Sequence, residues 1–339
     1  MSHLRIGLLG TGQHGPAILQ ANLPDNEDLP IRVTALCDLN EDRLAKISGE
    51  YGIDSTTTDY QELVARDDLD IIAIYTPGPL HGEQIVAAID AGKHVMVTKS
   101  MVYTMEEAER VVETADRTGR VCLVTQTMRG RYDLIDAKRA CDAGELGELF
   151  LAEAHYVHDL RGVYKQTPWR VQMPQDLLLG GACHPIDLLQ WFMGDIEEVH
   201  CLGIRGVSED YPQEDNFIIN VRFKSGKIGR IANFTGVIHP PGIPMVSLTV
   251  YGKKGTIRDG QQVLDPLGAL PRRTFSAEYH AQRGHQGEMV VMLRHMVDCI
   301  RNGTEPWVGP RDGAKIVAAG LACWESIRSG RPVKVRNDF

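Results

Sequence analysis

Residues 4–15, LRIGLLGTGQHG, constrain this chain more than any other stretch, because an apolar run meets three glycines, Gly10, Gly12 and Gly15. The run predicts a strand buried on both faces of a parallel sheet. The glycines then permit a tight turn, close approach of the backbone to a pyrophosphate, and close packing of the next helix. Glycine is common here, 34 of 339 residues, so the turn alone is a weak signal. Its context strengthens it. A second apolar run, Ile31 to Cys37, ends at Asp38, 23 residues after Gly15 and beyond a polar loop from Pro24 to Pro30. An acidic side chain there accepts hydrogen bonds from the adenosine ribose hydroxyls and repels a 2′-phosphate, which favours NAD and makes NADP the lesser choice. Thr11, Gln13 and His14 complete the expected dinucleotide turn.

Strand and helix patterns alternate up to residue 125, with strands expected near 4–9, 31–37, 71–75, 94–97 and 121–125. They predict an α/β domain over residues 1–125 with a doubly wound parallel sheet, a Rossmann dinucleotide-binding domain. One helix carries both end signals: Thr104 and Glu107 make a capping box, Met105, Ala108, Val111, Val112 and Ala115 an apolar stripe, and Gly119 the stop. From 126 to 339 the pattern is α+β, a substrate-binding and oligomerisation domain. Its strands near 149–158, 197–206, 215–223, 227–236 and 245–252 follow one another through turns such as Ser225-Gly226, which predicts an open, mainly antiparallel sheet. Helices expected at 132–143, 183–193, 286–301 and 311–329 cover one face. A second subunit's sheet is the economical cover for the other, which predicts a homodimer or homotetramer.

The net charge of −9, with no block of lysine or arginine, argues against nucleic acid and anionic membranes as partners. No apolar run reaches the ~18 residues of a membrane span, and no basic region followed by a long apolar core opens the chain, so a cytoplasmic location is expected. Seven cysteines without a C-x-x-C pair suit buried reduced thiols, and no metal site is expected.

Lys99 follows the strand 94–97 directly, at the carboxyl end of a parallel strand, where open α/β sheets bind ligands; that places it beside the nicotinamide. A plain surface lysine is the bland alternative. Tyr75, Thr76 and Pro77 end the preceding strand, and His81 opens the next helix. These four, with Thr98 and with Arg129 past the last strand, are expected to wall the cofactor, although His81 reads equally as a helix-start residue and Arg129 and Arg131 as partners of nearby acids. A second constellation is Gly180-Gly181-Ala182-Cys183-His184-Pro185-Ile186-Asp187. Two glycines admit a ligand closely, Pro185 suits a first helical turn, and His184 and Asp187 share a helix face. At a helix N-terminus the dipole keeps an imidazole neutral and available as a base. Trp169 and Arg170, in the long loop 159–180, offer an aromatic wall and a forked donor to an oxygen-rich substrate, or else an interface contact. His239, His280 and His285 read as solvated bystanders.

With these residues in view, namely GTGQHG, the Thr-Pro and Leu-His segment, AGKHVMVTKS, GGACHPIDLLQW and the closing ESIRSGRPVKV, the chain resembles the glucose-fructose oxidoreductase/inositol dehydrogenase/MocA (Gfo/Idh/MocA) family over nearly its whole length. The order of the motifs carries the likeness. The resemblance implies a Rossmann domain followed by an open-sheet α/β domain, NAD(P)-dependent oxidation or reduction of sugars or cyclitols, and dimers or tetramers built through that sheet. It maps the family's essential lysine to Lys99, its histidine to His184 and the trailing acid to Asp187. Thr98 and Ser100 stand where members commonly have glutamate and proline, and Gly180 where many have aspartate.

The expected mechanism is hydride transfer from a substrate C–H while the adjoining hydroxyl lies between Lys99, which stabilises alkoxide charge, and His184, which takes the proton; Asp187 orients the imidazole. An NAD-retaining lyase or epimerase working through a transient keto-sugar, and a sensor that binds NAD without turnover, are the competing expectations.

Overall fold

The computed structural model describes residues 3–167, 169–172, 177–239, 242–264, 272–274 and 285–339. The chain divides into two compact units, one of residues 1–130, 282–314 and 339, the other of residues 131–281 and 315–338.

The first unit holds a six-stranded parallel sheet of β1 (Leu4–Leu9), β2 (Ile31–Cys37), β3 (Thr56–Thr57), β4 (Ile71–Ile74), β5 (His94–Thr98) and β6 (Cys122–Thr125), in the order β3-β2-β1-β4-β5-β6. The order reverses between β1 and β4, so the crevice beyond their carboxyl ends is the ligand position of a doubly wound fold. All four residues of β4 are buried, as a strand covered on both faces requires. The helix Met105–Thr118 forms with both bonds of its capping box and ends at Gly119 in the left-handed conformation, φ 64°.

The boundary expected at residue 125 is not where the units separate. The helix His285–Asn302 presents Met289, Met292, Leu293 and Met296 at helical spacing, and these pack into one core with Ile18 and Leu19 of the 3₁₀ segment Gly15–Asn22 and with Leu8 and Tyr75. The stripe was legible as a buried face. Its partner, some 270 residues back, was not, because spacing along a helix says what is buried and nothing of against what.

The second unit holds a nine-stranded sheet. Its strands are β7 (Leu149–Val157), β8 (Ile196–Ile204), β9 (Asn216–Phe223), β10 (Ile228–Phe234), β11 (Val246–Gly252), β12 (Gly255–Arg258), β13 (Gln261–Leu264), β14 (Arg272–Thr274) and β15 (Val333–Lys334), ordered β14-β13-β12-β11-β7-β10-β9-β8-β15. Every pairing is antiparallel except β7 with β10. Alternation sends Ala152, Ala154 and Tyr156 of β7, Ile231 and Asn233 of β10, and Phe217, Ile219 and Val221 of β9 to one buried face. The helices Cys183–Met193 and Pro310–Ser329 lie on that face, and Trp324 meets Phe217 edge-on at 5.6 Å. Leu202, Ile204 and Ile218 point the other way and stay 61%, 69% and 46% exposed. The strands missed in the sequence, β3, β12 to β14 and β15, are two to four residues long and too short to show a period.

Candidate active site

In the first unit the end of β1 sets the geometry. Gly10 adopts φ +93°, donates its N–H to the Cys37 carbonyl at 2.8 Å, and has no room for a Cβ, which would stand 2.6 Å from the Tyr75 carbonyl oxygen. A Cβ on Gly15 would collide with the Gly10 carbonyl oxygen. Gly12 differs: a Cβ there would meet only the Arg43 guanidinium, at 3.5 Å. Two glycines are therefore required by the turn's own packing, and the third leaves the turn open, while Gln13 and His14 are exposed beside it. This is a cradle into which a pyrophosphate fits. Asp38, at the end of β2, accepts bonds from the Thr11 N–H and hydroxyl, both at 2.8 Å, and from the Asn40 N–H at 2.9 Å. Burial pushes its pKa up, but these bonds and the Arg43 charge outweigh that and hold the carboxyl below the usual aspartate value. An ionised carboxylate at the end of β2 is the result.

β5 delivers Thr98 and Lys99, both half-buried, to the carboxyl edge of the sheet. The Lys99–Ser100 peptide bond is cis. Next to it, two residues expected against the cofactor turn out to serve the interior. His81 is fully buried, with Nδ1 2.9 Å from the Ser100 carbonyl oxygen and Nε2 2.9 Å from that of Thr76. Burial lowers its pKa, against the pull of the carbonyls, and a neutral ring donates to one of the two at a time. It staples the loop after β4 to the loop carrying Lys99. His81→Ala is expected to lower the unfolding free energy by about 2–4 kcal/mol in urea melts, because it opens a cavity and strands buried carbonyls. Tyr75 likewise turns its ring into the core, its hydroxyl 3.2 Å from that of Thr125; its backbone and Cβ border the glycine turn. Thr76 donates to Gln84 at 2.5 Å, and Pro77 beside it is half-buried. Arg129 is 8% exposed and donates to the Trp307 carbonyl, and Arg131 pairs with Asp133 at 2.7 Å.

In the second unit His184 is the second residue of the helix Cys183–Met193, which follows the glycine pair after one residue, Ala182. Its N–H donates to the Gly181 carbonyl at 3.2 Å, it is 5% exposed, and its ring lies 5.3 Å from that of Tyr156. Asp187, one turn on, is fully buried. Arg170 is 9% exposed, with Nε donating to the Thr167 hydroxyl at 3.1 Å. Burial raises the pKa of Tyr156 and of Tyr164, and the Arg170 charge opposes it at both, so this guanidinium acts on the ring that touches His184. The structure thus gathers His184, Asp187 and Arg170 within one unit. Trp169 opens the short helix Trp169–Gln172, and its side chain lies outside the described residues, as does His280. His285 begins a helix, and His239 is half-buried rather than solvated.

Three residues escaped the sequence reading. Tyr156 and Asn233 sit opposite one another on β7 and β10. Asn233 is fully buried beside Gly181, and its side-chain amide makes no hydrogen bond among the described residues. Period-two alternation was the available signal, since a polar residue at an inward position of a strand is rare. Arg43 is the third.

A switch-point glycine turn with an ionised acid at the next strand's end defines a dinucleotide-binding oxidoreductase fold. Residues 4–126 match the model of an oxidoreductase family's NAD-binding Rossmann fold, and residues 138–335 that of the same family's C-terminal alpha/beta domain. The chain belongs to the Gfo/Idh/MocA oxidoreductase family, and its cofactor is NAD. It is 26% identical over 303 residues to the scyllo-inositol 2-dehydrogenase (NAD(+)) of Bacillus subtilis (strain 168), covering 86% of this chain and 85% of that protein. A Glycosyl hydrolase family 109 protein of Solibacter usitatus (strain Ellin6076) is 25% identical over 391 residues, covering 99% and 88%. Among solved structures, levoglucosan dehydrogenase in complex with NADH and levoglucosan superposes with a TM-score of 0.89 at 20% identity, over 98% of this chain and 100% of that one. No helix among the described residues is long and apolar enough to cross a membrane.

Proposed function

We propose that this chain oxidises a hydroxyl of a sugar, glycoside or cyclitol with NAD, and that Lys99, His184 and Asp187 carry the chemistry. When bound, nicotinamide supplies the hydride acceptor. Lys99 donates to the reacting oxygen and stabilises the negative charge that develops there, while His184 receives its proton. Asp187 orients the imidazole, and Trp169 and Arg170 hold other oxygens of the substrate. Gly10, Thr11, Gly12, Gln13, His14, Gly15, Asp38, Thr76, Pro77 and Thr98 line the cofactor; Tyr75, His81 and Arg129 support that wall from behind.

The observation that supports this reading best is the buried histidine at a helix start after two glycines, with an aromatic ring on one side and a buried acid one turn along. Absorbance at 340 nm with NAD and a panel of cyclitols, aldoses and glycosides tests it: NADH should form with at least one member. A second reading, redox-neutral cleavage of a glycoside through a transient ketone, is favoured by the relative named as a glycosyl hydrolase. Product without net NADH, from protein that keeps its NAD through purification, would select it.

We further infer a cytoplasmic homo-oligomer. Buried free thiols suit a reducing compartment. Leu202 faces Ile218 on the bare side of the second sheet, and Ile218 faces Ala232, an apolar row that a second copy would cover. Ile218→Arg should turn the assembly into monomers, read by light scattering after size-exclusion chromatography.

A further inference from the structure

The second unit contains a cavity of about 910 Å³ that the hydride step does not use, with Asp159, Tyr164, Gln172, Ser208 and Asp210 in its lining. Small-molecule sites span about 300–1,000 Å³, so a ligand of some size fits. The cavity lies past the carboxyl ends of β7 and β10. β7 stops at Val157, two residues before Asp159. The Leu160 N–H donates to the Thr235 carbonyl at 3.2 Å and the Val207 N–H to the Gly236 carbonyl at 2.8 Å, which fastens both walls to the chain leaving β10.

Arg170 is common to this cavity and to His184. Its charge acts on the phenol of Tyr156, whose ring lies 5.3 Å from that of His184, and on the phenol of Tyr164 in the cavity lining. Val171 and Gln172, the next two residues of the short helix Trp169–Gln172, belong to that lining as well.

The lining selects the chemistry of its ligand. Asp159, Glu209 and Asp210 face Arg161 and Lys165, so the charges nearly cancel with a slight negative excess, which disfavours a phosphate or carboxylate. Arg161 grips Asp159 with two prongs, Nε to Oδ1 at 3.0 Å and Nη2 to Oδ2 at 2.6 Å, and so fixes a planar polar edge. Tyr164 is 7% exposed, and its hydroxyl makes no hydrogen bond among the described residues. A buried hydroxyl left in that condition beside a cavity is one that a ligand can satisfy. Val171 and Val207 add apolar surface. Hydroxyl groups donate and accept, so they pair with acid, base and phenol alike, while the C–H faces of a sugar ring suit the valines. A neutral polyhydroxylated ring matches this mixture.

We propose that the cavity is a second sugar subsite and that the substrate is a two-ring glycoside, one ring meeting His184 and the other lying past Arg170 among Asp159, Tyr164, Gln172 and Asp210. This rests on the reading of His184 as the reacting centre. The second ring undergoes no chemistry; its contacts hold the first ring in place.

Calorimetric titration of the NADH-loaded protein with matched sugars tests it: methyl β-glucoside against cellobiose, methyl α-glucoside against maltose and trehalose, and methyl β-galactoside against lactose. At least one disaccharide should bind at least about tenfold more tightly than its one-ring counterpart, the gain expected of one or two added hydrogen bonds. Gln172→Ala and Asp210→Ala should each weaken that disaccharide at least about fivefold and the methyl glycoside less than about twofold. Both side chains are exposed, so the fold is unaffected, which thermal melts check. No disaccharide binding more tightly than its methyl glycoside, or equal losses for both ligands in the variants, overturns the proposal. A disaccharide preference that survives while no sugar reduces NAD at 340 nm would instead overturn the hydride-transfer reading.

Discussion

Lys99→Met should lower turnover at least about a hundredfold while leaving NAD bound, and His184→Ala should do the same. Methionine keeps the length and apolar stem of lysine but brings no charge to the substrate oxygen, so the loss falls on the step in which alkoxide charge appears. NAD affinity should hold, because the proposed cradle is built from Gly10, Gly12, Gly15 and Asp38. Without the His184 imidazole the proton has no acceptor. An added small base such as imidazole should restore part of the rate in His184→Ala and none in Lys99→Met, since one lacks a proton acceptor and the other a positive charge. Steady-state rates at 340 nm with the best panel substrate, alongside NAD titrations, decide the matter: full turnover in either variant removes the mechanism.

The second large effect separates the three glycines. Gly15→Ala should destabilise the protein by about 1–3 kcal/mol and cut NAD affinity at least about a hundredfold, because its methyl collides with the Gly10 carbonyl oxygen, a backbone atom that cannot turn aside. Gly12→Ala should leave stability within about 0.5 kcal/mol, as expected of a change that disturbs no packed or buried feature. Its methyl meets only the tip of Arg43, a flexible side chain, yet it occupies the approach of the pyrophosphate, so affinity should still fall. Urea melts read the first quantity and calorimetry the second. Equal stability losses in both variants would mean that Gly12, too, is a packing glycine.

How far the site could be read in advance follows from how local its signals are. The strand, glycine turn and terminal acid of β1 and β2 lie within 35 residues, and the capping box, the glycine stop and the His184 helix start are set by neighbours in sequence. All of these formed as expected. Tyr75 and His81 stand where a cofactor wall was expected, and only the fold revealed that one ring fills the core and the other bridges two carbonyls. Most of that information is not local: the partners of Tyr75 include Met289, and His81, besides the Thr76 carbonyl five residues back, meets Ser100 beyond a helix and a strand.

The amino-acid order by itself determined the longer strands and helices and the cofactor, since periodicity, caps and turn glycines act over a few residues. Tertiary structure alone decided that residues 282–314 return to the first unit, that Asn233 lies against Gly181, and that Arg43 reaches over Gly12 to Asp38. Each of those depends on which buried surface finds which, a long-range packing choice that the spacing of side chains along one element leaves open.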